Sequence, residues 1–385
     1  MDRNERAAFL ALNTIFGFEP AAGHRLLEAL GSARAAFTAG REALREALGP
    51  VPILGQIGSQ ALDKAYDSLE RLEKDGNSFI PYGEEGYPTL LMECPDAPLG
   101  LYLRSTSPAT GIFDEGTPKV AVVGTRDISH YGSEWCGRIV EALSGCERKP
   151  LIVSGLALGT DITAQRTALE NGLPTVGVMA TGVDAVYPPQ HEWAASQIAS
   201  APGSGLVTDY PMGTSPKAVN FVRRNRIIAG ICSALILIES RVRGGGMISA
   251  RLAASYDREV YALPGRVDDR RSSGCNLLIR ERSAEPITDI DSLIGQLGFS
   301  PGGPSPRSAS LEDSIRRVFA SSPDVPRLAE AARRIKERRG IAVDSLAYDM
   351  SISYAEASSL VRMLESEGFI ITDLFGNCRV KTNFS

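Results

Sequence analysis

From Lys119 onward the chain repeats one pattern, a short, largely apolar run followed by a helical stretch, and that repetition limits the folds open to it. The runs are Val120 to Val123, Leu151 to Val153, Thr175 to Met179, Gly205 to Val207, Ala234 to Ile238 and Val260 to Leu263. They lack the polar–apolar alternation of a half-exposed strand, which predicts strands buried on both faces. Helical segments separate them: Ser133 to Leu143, Asp161 to Asn171, Glu192 to Ala199, Arg226 to Cys232 and Ile248 to Tyr256. The expected class is therefore α/β, with a doubly wound, mostly parallel sheet and right-handed crossovers.

Both flanks read differently. Residues 1–80 carry short helical segments, Ala7 to Thr14, Ala21 to Leu30, Ser32 to Thr38, Arg41 to Leu48 and Ser59 to Asp75, punctuated by Gly17, Gly31, Gly40 and Gly49. Within them Gly23-His24-Arg25-Leu26-Leu27 and Leu30-Gly31-Ser32 resemble the helix-hairpin-helix group of small DNA-associated domains (SAM/helix-hairpin-helix-like), although a plain packing domain is the preferred interpretation. The α/β domain is expected over 81–298, and 299–310, dense in Pro, Gly and Ser, reads as a linker. Residues 311–385 follow as a winged-helix pattern. Helices at Leu311 to Phe319, Ala329 to Arg338, Ser345 to Met350 and Tyr354 to Glu367 precede a wing at Phe369 to Thr372 and Cys378 to Lys381. Between 310 and 385 eleven basic and eleven acidic residues cancel, and Tyr354 to Glu367 sets Arg362 against Glu356, Glu365 and Glu367. That balance favours a protein contact over DNA for this last domain.

A formal net charge of -5 argues against coating nucleic acid by bulk charge, so any such site must be a local basic patch. The six cysteines form no C-x-x-C pair and no histidine stands at metal-ligand spacing, which disfavours structural zinc and a disulfide framework and suits a reducing cytosol. The N-terminal apolar run is too short for a signal peptide, and no stretch approaches a membrane span. A cytoplasmic protein with no cofactor and no metal is expected.

In an open parallel sheet, ligands bind beyond the carboxyl ends of the strands. The polar residues there are Gly124-Thr125-Arg126, Ser154-Gly155 with the turn to Asp161, and Arg241-Val242-Arg243-Gly244-Gly245-Gly246. Glycines at such turns let backbone N–H groups approach an anion, and Gly244 to Gly246 is a phosphate-nest candidate. Asn220-Phe221-Val222-Arg223-Arg224-Asn225-Arg226 is expected to crowd the first turn of a helix, an anion grip whose cations oppose the helix dipole. A solvated or salt-bridged surface is the competing account of that cluster. There is no G-x-x-x-x-G-K-[ST], and the first strand is followed by V-G-T-R rather than G-x-G-x-x-G, so P-loop and dinucleotide chemistry are unsupported. His24, His130 (placed in a loop) and His191 lie near no recognisable nucleophile motif.

V-V-G-T-R at 122–126, S-G-L-A-x-G-x-D at 154–161, Y-P at 187–188, F-x-x-R-N-R-I-I-A-G at 221–230, the G-G-G-M-I-S-A turn and P-G at 264–265 resemble, in that order, the DNA-processing protein A (DprA/Smf) family. Tyr87-Pro88 and Pro98 to Tyr102 resemble its interdomain segment. The resemblance implies an extended Rossmann-like, dimeric fold and a non-enzymatic role: binding and protecting incoming single-stranded DNA and loading RecA recombinase on it during natural transformation. It also implies phosphate contacts by Arg126, Arg223, Arg224 and Asn225. Gly124, Thr125, Ser154, Gly155 and Gly244 to Gly246 would supply donors, Lys217 would extend the basic track, and Phe221 would stack on a base. Competing structural roles are burial of Phe221 against the sheet, bracing by Asn225 and Arg226, and an N-cap for Asp161.

The chain departs from the family pattern at Gln165, where a histidine is common, at Val222 in place of Pro, and at Gly244-Gly245 in place of Ser-Gly. Two rival functions remain: a nucleoside-monophosphate phosphoribohydrolase-like Rossmann enzyme, whose P-G-G-x-G-T-x-x-E glutamate has no counterpart here, and a protein-interaction scaffold.

Overall fold

The computed structural model describes residues 1–300, 311–320, 322–338, 340–373 and 376–380. Most of the linker expected at 299–310, together with Lys381 of the wing, lies outside them. The chain divides into two compact units, Met1–Gly303 and Pro304–Ser385.

The first unit is built on a sheet of nine strands. These are β1 (Asn77–Pro81), β2 (Gly100–Arg104), β3 (Lys119–Val123), β4 (Leu151–Ser154), β5 (Thr175–Val178), β6 (Gly205–Thr208), β7 (Ala234–Leu237), β8 (Glu259–Ala262) and β9 (Glu285–Pro286). Their spatial order is β1-β2-β6-β5-β4-β3-β7-β8-β9. From β6 to β9 all pairs are parallel, while β1 and β2 join antiparallel at one edge. The six expected strands are present. β1, β2 and β9 add to them, and the segment ending at Tyr102 is thus partly a strand of the sheet.

Burial explains why the runs are apolar throughout. Ala121, Val123, Val153, Val176, Leu235 and Leu237 fill the core under the helices Ala218–Ile231 and Gly245–Ser255. Their neighbours Val120, Val122, Ile152, Ala234 and Ile236 fill the core under His130–Ser144 and Thr160–Glu170 on the opposite face. Period-two alternation is present, but both phases are buried. The N-terminal helices Arg3–Phe16, Pro20–Leu30, Ala33–Thr38, Arg41–Leu48 and Ser59–Lys74 share a third core with Phe79, Leu99 and Tyr102. Sheet strand β1 starts at Asn77, inside the 1–80 segment.

The second unit packs helices Leu311–Val318, Val325–Glu337, Val343–Met350 and Tyr354–Ser366 on an antiparallel sheet of β10 (Ile341–Ala342), β11 (Ile370–Thr372) and β12 (Asn377–Val380), ordered β10-β12-β11. Ser351, in the left-handed region at φ 54°, ends the third helix. Ser353 and Glu356 form a capping box that starts the fourth. No helix among the described residues is long and apolar enough to cross a membrane.

One buried ion pair ties the sheet's antiparallel edge to its helical face. The Arg226 guanidinium, on the 218–231 helix, donates to Asp209 Oδ2 at 2.6 Å and to the Asp96 carbonyl. Asp96 in turn accepts from the Tyr256 hydroxyl at 2.7 Å. Arg226→Met would strand the Asp209 carboxylate in the interior. Loss of about 3–5 kcal/mol is expected, checked by denaturant unfolding against the parent.

All six cysteines are buried and unpaired. Burial raises every one of their thiol pKa values, that of Cys275 to about 12. The native protein should therefore react very slowly with Ellman's reagent at neutral pH, and the denatured chain should release six equivalents promptly.

Candidate nucleic-acid interface

β3 lies between β4 and β7, where successive connections pass to opposite faces, and a crevice opens there beyond the carboxyl ends of the strands. Three glycine turns line it. A Cβ on Gly124 would lie 2.4 Å from Thr160 Oγ1 and 2.9 Å from the Glu239 carbonyl. Thr125 accepts at its carbonyl from the Thr160 N–H at 3.1 Å. A Cβ on Gly246 would strike Leu237 Cδ1 at 2.7 Å and approach the Gly124 Cα at 3.3 Å, so the turns after β3 and β7 touch backbone to backbone. Gly244 is the N-cap of the 245–255 helix and makes no side-chain cap, while Gly245 faces open space. The N–H groups of that first turn have no intrahelical partners.

At the mouth of the crevice three side chains stack. The exposed Arg126 holds its guanidinium carbon 4.9 Å from the centre of the half-buried Phe221 ring. Phe221 meets the Tyr187 ring edge-on at 5.4 Å, and Tyr187 is 44 % exposed. No carboxylate forms an ion pair with Arg126 among the described residues. This arrangement combines a free cation with aromatic surface.

Behind the mouth lies a buried polar cluster. Arg224, only 3 % exposed, donates from Nη1 to the Gly155 carbonyl at 2.6 Å and to the Val178 carbonyl. Its Nε has no partner. Arg224 and Asp161 face each other across the Gly155 Cα, where a Cβ would lie 2.4 Å from Nη1 and 2.5 Å from Oδ2. Burial lowers the Arg224 guanidinium to about 10, still charged at neutral pH, despite the raising pull of Asp161. Burial likewise raises the Asp161 carboxyl, against Arg224 and the Ala157 and Gly155 N–H groups. The Ser154 hydroxyl turns inward to the Val122 carbonyl at 2.6 Å. Leu156 is held in the left-handed region at φ 56°. Gln165 Oε1 accepts from its N–H at 3.1 Å, and His191 Nδ1–H donates to its carbonyl at 2.8 Å. A strained conformation survives only when its surroundings over-determine it, as here.

The other expected residues spread out. Arg223 points away from the crevice, donating to the Gly17 carbonyl at 2.8 Å with its guanidinium carbon 4.3 Å from the Phe18 ring centre. Asn225 is buried and its side chain makes no hydrogen bond to a described residue, Arg226 serves the ion pair above, and Lys217 is exposed at the helix N-cap position. Three expectations need correction. The helix starts at Ala218, not at the arginines, so Arg223, Arg224 and Arg226 occupy its second and third turns and oppose no dipole. Asp161 is not an N-cap, because Gly159 holds that position and the Asp161 side chain turns back to the preceding loop. His130 opens the 130–144 helix rather than lying in a loop.

Tyr187, Glu239 and Asp209 escaped the residue-by-residue analysis as site members. Glu239 is fully buried, and its two oxygens accept from the Ser129 N–H, at 2.8 Å, and the Ser129 hydroxyl, fixing the residue that caps the 130–144 helix. A polar residue directly after an apolar strand was the available signal for both carboxylates, and the Y-P dipeptide for Tyr187.

A profile of the family described as DNA recombination-mediator protein A matches residues 78–298. The Smf protein of Synechocystis is 32 % identical over 344 residues, covering 86 % of this chain and 83 % of that protein. The crystal structure of DNA processing protein A from Streptococcus pneumoniae superposes with a TM-score of 0.63 at 27 % identity, covering 77 % of this chain and 98 % of that one. A structure of DNA processing protein A from Helicobacter pylori, reported for its single-stranded DNA binding mode, superposes at 0.51 and 27 % identity over 58 % of this chain and 97 % of that one. Sequence order, crevice and superposition agree: this chain belongs to the DNA recombination-mediator protein A (DprA/Smf) family.

Proposed function

We propose that this protein binds single-stranded DNA at the β3–β4–β7 crevice, without catalysing a reaction on it, and delivers the strand to RecA recombinase during natural transformation. The observation that carries the proposal is the Arg126–Phe221–Tyr187 stack beside glycine turns. Aromatic faces accept any base, and an unpaired guanidinium accepts a phosphate, which together suit a strand bound without sequence preference. The single-stranded DNA binding reported for the Helicobacter pylori relative and the family's description as a recombination mediator support it.

In this reading the residues divide by task. Arg126, Lys217 and Phe221 meet the strand, with Gly124, Thr125, Gly245 and Gly246 presenting backbone donors, while the Gly244 N–H donates to the Arg241 carbonyl at 2.8 Å and closes the turn. Arg224, Asp161 and Ser154 act from beneath by fixing the Gly155 turn. Arg223 secures the N-terminal helical segment against the site. The working unit is taken to be a homodimer, a state that light scattering reads directly.

The phosphoribohydrolase alternative needs a carboxylate at the reacting centre. Glu239, the carboxylate beyond the end of β7, already spends both oxygens on Ser129 and is fully buried. Incubation with nucleoside monophosphates should release no base.

Fluorescence anisotropy with a labelled oligothymidylate should show salt-sensitive binding, with the matching duplex bound more weakly. Arg126→Ala and Phe221→Ala should each weaken it about tenfold, within the ~1–3 kcal/mol of one stacked base. Absence of binding at low salt would sink the proposal.

A second pair of variants separates contact from support. Gly245→Ala fills open space, so the melting temperature should hold while affinity falls. Arg224→Met should cost about 3 kcal/mol of stability as well as affinity, since Asp161 and two carbonyls lose their partner. If Arg224→Met bound DNA normally, the supporting role of Arg224 would be wrong.

A further inference from the structure

Next to the crevice, on its β7–β8 side, an open cleft of about 440 Å³ is lined by Arg241, Arg266, Asp268, Asp269, Arg270 and Arg271. The loop after β8 supplies most of it, and the exit of β7 supplies Arg241. The Gly274 N–H, donating to the Ser240 carbonyl at 2.8 Å, pins the two together. Both lining carboxylates are already engaged. Asp268 takes Arg266 through two bonds of 3.0 Å, and Asp269 accepts the Arg271 N–H at 2.8 Å, turning the loop. Arg270 is exposed and has no acidic partner among the described residues.

The remaining arginines converge on Asp127, the residue after Arg126. Arg271 reaches its Oδ2 at 3.1 Å and Arg241 at 3.7 Å. All three side chains are substantially exposed, and ion pairs of that kind hold weakly in water. One carboxylate thus sits between two guanidinium forks, one residue from Arg126, and one of those forks, Arg241, lies three residues before Gly244. A phosphodiester offers the same forks a matching pair of oxygens.

We propose that this cleft is a second phosphate subsite, which takes a backbone phosphate of the same strand beside the one in the crevice, and that the Asp127 carboxylate occupies the place that phosphate takes. The inference rests on the single-stranded DNA reading above. Arg241 and Arg271 exchange Asp127 for the incoming phosphate, and Arg270 adds a charge that no acid offsets. The strand path therefore runs from Phe221 past Arg126 toward the loop after β8.

The test is the salt dependence of oligothymidylate affinity for the full chain, Arg241→Ala/Arg270→Ala and Asp127→Asn. Each phosphate neutralised contributes about -0.7 to the slope of log affinity against log salt for a single strand. The double variant should bind about tenfold more weakly at low salt, with a slope shallower by roughly 0.7 and an unchanged melting temperature. Asp127→Asn, which removes the resident anion, should bind about two- to fivefold more tightly. An unchanged slope in the double variant, or no gain of affinity in Asp127→Asn, overturns the subsite. Should the parent bind no oligothymidylate, the DNA-binding proposal itself fails. A parent whose binding is lost in Arg126→Ala but kept in Arg241→Ala/Arg270→Ala leaves that proposal standing and removes only this one.

Discussion

Two guanidinium groups buried on one helix hold the exit loops of the nine-stranded sheet in register. Arg224 and Arg226, two residues apart on the 218–231 helix, face different neighbours, and each reaches across the top of the sheet. Arg224 binds carbonyls at the exits of β4 and β5. Arg226 binds the exit of β6 and the segment leading into β2. A buried cation is costly unless its donors are satisfied, so these loops have few other conformations available once the helix is docked. The remaining members of the arginine-rich run then fall where the helical repeat sends them, Arg223 toward Phe18 and Phe221 toward Arg126.

Charge is thereby sorted by depth. The protein as a whole is acidic, yet the crevice mouth presents Arg126 with no acid attached, and the cleft beside it presents Arg270 in the same state. Arginines underneath are committed to carbonyls and carboxylates. Each of these guanidinium groups has a carboxylate opposite it, Asp161 for Arg224 and Asp209 for Arg226, so the buried layer adds little charge to the surface above. In the proposed function the outer arginines contact the strand and the inner ones shape the loops beneath it, although all of them look alike in a string of letters.

Most of the fold could be read from periodicity. Six strands and the crossover helices follow from apolar runs because burial on both faces demands such runs. β1, β2 and β9 were missed because Asn77–Pro81 and Gly100–Arg104 carry polar or glycine residues and Glu285–Pro286 spans only two. The candidate site was legible as a set of turns but not in its depth. Nothing local to Arg223-Arg224-Asn225-Arg226 says which side chain enters the core. That is decided by where the helix begins, and its start at Ala218 lacks a strong capping residue to announce it. Asp161 was likewise unreadable, since an acid at a helix start looks the same whether it caps its own helix or the loop before it.

The glycine turns bear on what evolutionary constancy can report. At positions 124, 155 and 246 a Cβ would collide with backbone, with the Arg224–Asp161 pair or with Leu237, so glycine there is demanded by packing whether or not anything binds. Position 245 faces open space, and folding places no such demand on it. Among descendants released from the need to hold a strand, the first three positions should stay glycine while the fourth drifts, which makes Gly245 the residue whose retention records selection for the ligand.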